Sequence, residues 1–224
     1  MSSLRLVAAV AAKDLRIELR GRHVAGVALP FAGTLLLSFG LALGPGRALL
    51  EAAAPGLLWL ALLFASTILA RQAYEAEAED DALEGLVLAP VDKAAVFAGK
   101  ATAMAVELLV LEASVLLMVA VLFGLPLGRG VAVLAAALAL GTVGLAAVGS
   151  LFGLLAVVPR AREAALPLLV MPLVTPVLVA GVKATELAVA GRGGEAGSWL
   201  GLLVAFDLVF LAAGTLVFEH LIEE

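Results

Sequence analysis

The sequence predicts an all-α integral membrane protein with six transmembrane helices, and three observations predict it. Of the 224 residues, 63% are apolar and the mean hydropathy is +1.14, far above the roughly 45–50% apolar content of soluble domains. Charged residues are 15% of the chain and gather between apolar runs. Six of those runs reach the roughly 17–25 residues that cross hydrocarbon at about 1.5 Å per residue. They cover residues 24–43, 52–70, 101–123, 131–158, 164–182 and 199–218. No strand-like alternation competes with them, and in lipid the backbone must satisfy its polar groups internally, which continuous helices do. The whole chain therefore reads as one transmembrane domain.

Residues 1–22 come first and read as an amphipathic helix. Arg5, Lys13, Arg16 and Arg20 form a basic stripe; Leu4, Val7, Ala11 and Leu15 lie opposite. Such a helix beside a first span is expected to lie along the inner leaflet. Asp14 and Glu18 interrupt its apolar side, which points to a protein contact on that face. A solvated leader with helical bias is the simpler alternative. The run at 24–43 exceeds the about 7–15 apolar residues of a cleavable signal, so it is expected to be a retained span. Gly44-Pro45-Gly46 stops it.

After the second span comes a polar island, residues 71–100. It holds seven acids (Glu75, Glu77, Glu79, Asp80, Asp81, Glu84, Asp92) and three bases. Within it lies the apolar phrase Leu83-Glu84-Gly85-Leu86-Val87-Leu88-Ala89-Pro90, too short to span a bilayer and suited to docking. The third span carries Glu107 and Glu112, and the sixth carries Asp207. An ionised carboxylate at mid-membrane costs at least about 2.5–3.5 kcal/mol on insertion scales. No Lys or Arg lies at matching depth, so the acids are protonated, face a wet cavity, or pair with a second subunit. A substrate-pathway role and a hydrogen-bonded packing role both remain open. Glu107 and Glu112 are about 140° apart round a helix and cannot form one acid/base pair.

Gly141, Gly144, Gly149, Ser150 and Gly153 line the fourth span, and Gly40 and Gly44 end the first. Small residues at these spacings allow close helix approach, within the chain or in a dimer. Pro167, Pro172 and Pro176 fall in the fifth span. Each removes a helix hydrogen bond, which predicts a bent or interrupted helix: a flexible gate, or a static kink. Lys183 and Glu186 read as a solvated pair, Trp199 as an interfacial anchor, and the methionines Met104, Met118 and Met171 as packing.

Orientation follows from Lys and Arg. With the N-terminus inside, inner segments hold ten of them and outer segments four, so both termini and the island are expected to be cytoplasmic. The chain has no cysteine and two histidines, His23 and His220, both beside apolar runs. Disulfides and thiolate chemistry are excluded, and a His-rich metal site is not expected. No GxxxxGK[ST] loop occurs, so any ATP must be hydrolysed by a partner. No basic, aromatic-interleaved patch suggests nucleic-acid binding. No nucleophile and base stand at usable spacing, which argues against an enzyme.

Three segments carry a family resemblance in order along six spans: Ala54-Pro55-Gly56-Leu57-Leu58-Trp59, the phrase at 83–90, and residues 166–178 with their three prolines. The Lys13-Asp14-Leu15-Arg16-Ile17-Glu18-Leu19-Arg20 stretch also fits. Together they resemble the cytochrome c maturation protein B family, the permease subunits of haem exporters. The resemblance implies a type V (ABC-2) exporter fold in the bacterial inner membrane. It implies a second copy of the chain, a separate ATPase subunit carrying ATP, the maturation C and D proteins, and a haem chaperone as partners. It places a coupling helix, seated in the ATPase, at Leu83, Glu84, Gly85, Leu86, Leu88 and Pro90. Where the family often has Asp-Gly before this phrase, the chain has Asp80-Asp81. Haem is the implied cargo; no axial His or Cys lies at the midplane, so no tight iron ligation by this chain is expected. The alternatives are an ABC-2 permease for a lipid or drug, and an intramembrane scaffold that moves nothing.

Overall fold

Helices begin and end where the glycines and caps dictate. The computed structural model describes residues 2–79, 92–128, 130–157 and 165–221, and among these the side chains of 74–79, 154–157, 165–171 and 220–221 are not described. Helix α1 spans Ser3–Gly21. Arg22 follows in the left-handed region (φ 54°), its N–H bonded to the Glu18 carbonyl, a conformation that disfavours a non-glycine residue. That turn redirects the chain into a π-helical turn, Val24–Ala28, continuous with α2, Leu29–Leu43. Helix α3 is Arg47–Glu79, α4 is Lys93–Phe123, α5 is Val131–Val157, α6 is Ala165–Val189 and α7 is Gly197–Leu221, with a short 3-10 turn at Gly193–Glu195.

Six helices are long and apolar enough to cross a membrane, in line with the sequence expectation of six spans, and no strand occurs among the described residues. Two of them overrun it. Helix α3 starts at Arg47, where Arg47 and Glu51 pair one turn apart at 2.9 Å, and α4 starts at Lys93, its first turn capped by the Asp92 carboxylate accepting from the Ala95 N–H. At about 1.5 Å per residue both exceed a hydrocarbon core of about 30 Å. The last turns of α3 and the first turns of α4 run into the polar island. Residues 83–90, the expected coupling phrase, lie outside the described residues.

The core runs through the middle of the bundle. Helix α5 packs against α3, α4, α6 and α7, while α1 packs chiefly on α4. Two left-handed glycines bound the α4–α5 connection. At Gly130 a side chain would also collide with the Ala188 carbonyl of α6, so only glycine closes that corner.

Of the bend or interruption expected in the fifth span, no interruption occurs among the described residues. Helix α6 is continuous with Pro172 and Pro176 inside it, and Pro167 falls in its first described turn. Freed carbonyls in a membrane helix can be satisfied locally or by neighbouring helices, and α3, α5 and α7 all pack on this one.

Candidate functional site

Two clusters in the bundle stand out, one neutral and one charged. The neutral one centres on Trp59, which is 1% exposed. Its indole N–H donates to the Thr185 hydroxyl at 2.9 Å, tying α3 to α6. A Cβ at Gly141 or Gly181 would fall into the indole ring, so two glycines form the slot that holds it. Three glycines of the fourth span are thus used within the chain: Gly141 on Trp59, Gly144 on Asp207 and Phe206, Gly149 on Met104.

The charged cluster lies where α1 enters the bundle. The face of α1 that meets α4 includes Val7, Val10, Ala11, Asp14 and Glu18. Gly99 of α4 lets it approach, since a Cβ there would press on Val10 and the Val7 carbonyl. Asp14 pairs with Lys13 at 3.0 Å and reaches Lys100 of α4 at 3.5 Å; Lys100 is 5% exposed. Glu18 accepts from the Val24 N–H at 2.7 Å and holds the His23 Nδ1 at 3.1 Å. The acids that break the apolar side of α1 therefore face protein. One satisfies a buried lysine and the other caps the start of the next helix.

The three intramembrane acids have three different environments. Glu107, Glu112 and Asp207 are 8%, 7% and 6% exposed, so none offers its carboxylate on the outer surface of the bundle to a second copy. Glu112 accepts a hydrogen bond from the Thr142 hydroxyl of α5, a packing bond between helices. Asp207 Oδ1 lies against Gly144 and is buried without a hydrogen-bond partner. Glu107 faces the charged cluster and lines two small cavities with Asp14, one shared with Glu18, His23 and Gln72, the other with Lys100 and Ser150.

Lys100 stands in the same cavity wall as Glu107, about 10 Å of helical rise nearer the start of α4. Lys100 and Glu107 are two helical turns apart, on one face of α4. That spacing was readable in the sequence; grouping Lys100 with the polar island hid it. Trp59 and Thr185 were not readable as a pair, since nothing local links residues so far apart.

Away from the bundle, Arg192 holds Glu195 by two hydrogen bonds of 2.8 and 2.6 Å. This contact pulls the exposed Glu195 carboxyl below its ordinary range.

The fold and these clusters define a multi-pass membrane protein of the helical-bundle type. Among the described residues, no group of three or more His, Cys, Asp or Glu is arranged to hold a metal ion. The chain belongs to the CcmB protein family, whose model matches residues 5–224. It is similar to the heme exporter protein B of Pseudomonas aeruginosa, 30% identical over 211 residues that cover 91% of this chain and 93% of that one. The heme exporter protein B of Bradyrhizobium diazoefficiens is 32% identical over 210 residues, 93% of each chain. That of Rhodobacter capsulatus is 31% identical over 210 residues, covering 92% of this chain and 90% of the relative.

Proposed function

We propose that this chain is the permease subunit of an ATP-driven haem exporter that serves cytochrome c maturation. The observation that carries the reading is the family match over residues 5–224, together with full-length relatives that are named heme exporter protein B. The six-span bundle is the right kind of body for that role. With no nucleotide loop in its sequence, the chain takes its driving force from a separate ATPase and catalyses nothing itself.

In this reading the protein sits in the bacterial inner membrane with both termini cytoplasmic. Two copies pair with two ATPase subunits and work with the maturation C and D proteins and a haem chaperone. The 83–90 phrase is the coupling element, with Leu83, Leu86 and Leu88 as its contact surface. Force entering there passes directly into α3 and α4, the two overlong helices on either side. Glu107, Glu112, Asp207 and the prolines of α6 are the proposed pathway or gate elements. Helix α1 lies along the inner leaflet and braces α4 through Asp14 and Lys100.

Co-purification in mild detergent tests the coupling assignment. Glu84→Lys and Gly85→Pro are each expected to lose the ATPase subunit at least tenfold while membrane insertion stays intact. Normal recovery of an ATPase with both variants would remove the assignment. Absence of any ATPase and of haem-handling proteins from the wild-type preparation would overturn the exporter reading itself.

A further inference from the structure

The two cavities beside Glu107 are about 20 and 10 Å³ and share Asp14, Ala73 and Glu107 in their walls. The larger has room for one water, which needs about 10–15 Å³, and the smaller is at that limit. The polar atoms around them are unevenly matched. The oxygens of Asp14 serve Lys13 and Lys100, and those of Glu18 serve His23 and the Val24 N–H. Glu107 is 8% exposed and lines both cavities. Across the larger cavity, Gln72 Oε1 is buried with no partner. The buried unpartnered atom at the site is thus an acceptor, an amide oxygen, and it faces a cavity that Glu107 also lines.

A metal cation is the wrong remedy. The carboxylates here are not arranged as a metal-holding group, and Lys100 already places a positive charge in the wall. A proton needs no ligand set. Carried on Glu107, it turns the acceptor into a donor and removes a charge from a buried position. A water in the larger cavity can relay that donor to Gln72 Oε1.

We propose that Glu107 is a proton-binding site loaded through the cavity under α1. The proton comes from solvent by way of His23, whose side chain is 32% exposed at the cavity wall, and the cavity water. One O–H bond forms on the carboxylate, the site gains one positive charge, and no electrons move. Among the described residues, the titratable and charged groups facing it are Asp14 and Glu18 on α1, His23 after it, and Lys100 on α4 itself; α3 and α5 contribute Gln72 and Ser150, which do not titrate. Ionised Glu107 competes with Asp14 for Lys100. Protonated Glu107 leaves Lys100 to Asp14 and so tightens α1 on α4. The site rests on cavity chemistry and stands whether or not haem is the cargo.

Infrared difference spectroscopy of the full chain in lipid vesicles, titrated with pH, tests this. The expected result is a reversible protonated-carboxyl stretch that shifts when glutamate is ¹³C-labelled, persists in Glu112→Gln, and disappears in Glu107→Gln. Labelling the wild type separates glutamate from Asp207 without a substitution. Should Glu107→Gln fail to fold, Glu107→Asp decides by moving the band from the labelled glutamate set to the unlabelled aspartate set. The proposal is overturned if no titrating glutamate band survives in Glu112→Gln. It is overturned equally if the band answers to Na⁺ or K⁺ at fixed pH and not to H⁺, which would mark a metal-cation site.

Discussion

Trp59 and Glu107 are both buried between helices, and their surroundings are opposite in kind. Around Trp59 the small residues Gly141 and Gly181 let three helices close on an indole whose single donor finds Thr185. Around Glu107 four other ionisable groups and an unpartnered amide oxygen line residual space. Helix α3 passes through both regions, about 20 Å apart along its axis by helical rise. In lipid, helices gain little from apolar burial, and association rests on close packing and hydrogen bonds. A slot filled by a rigid ring is therefore the fixed point of the bundle. The cavity beside the unpartnered Gln72 oxygen is where the proposed proton changes the balance of forces. The difference teaches that this chain separates its anchor from its adjustable end along one helix.

The strongest way to break the comparison is to fill the anchor. In Gly181→Leu the new side chain has no room beside the indole, and overpacking costs about 1–3 kcal/mol or more. Thermal unfolding in detergent is expected several degrees below wild type, with loss of a monodisperse peak. Gly201→Leu, on an exposed face of α7 with nothing within 4 Å of its Cβ position, is the matched control and is expected to behave as wild type. Equal damage from both would mean that the slot has no special role.

A smaller effect is expected at the charged end. Lys100→Met leaves Asp14 with Lys13 alone, so the loss is set at about 1–3 kcal/mol, below the roughly 3–5 for breaking a fully buried pair. Asp14→Asn is expected to lose less when Lys100→Met is already present. A double-mutant cycle on proteolytic release of α1 measures that coupling; strict additivity would mean that the two residues do not brace the helices together. The smallest change is Trp59→Phe, which keeps most of the ring and removes the N–H. Interhelical hydrogen bonds in membranes average about 0.6 kcal/mol with a maximum near 1.7, so a shift within that range is expected in chemical unfolding. A loss far above it would assign the anchor to the bond rather than to the ring.

Much of the fold was legible because its signals are local. Gly44-Pro45-Gly46 ends α2 at Leu43, and Gly124 and Gly130 bracket the turn before α5. The acids Asp14 and Glu18 declared a protein-facing side of α1 before any partner was known. The fifth span, expected to be bent or interrupted, runs as one helix through Pro172 and Pro176: each proline removes one hydrogen bond, and helices packed around α6 let it run on. The candidate site was only half legible. Three buried acids could be named, but Glu112 with Thr142, Asp207 against Gly144 and Glu107 beside Asp14 are pairings between helices.

By itself the sequence determined the number of spans and the absence of a nucleotide loop, because length, hydropathy and short motifs act within a few residues. Tertiary structure alone decided which acid is hydrogen-bonded, which is orphaned and which faces a cavity. Those outcomes depend on which glycine lets which helix approach, and that is settled by contacts between residues as far apart as Asp14 and Lys100, or Trp59 and Thr185.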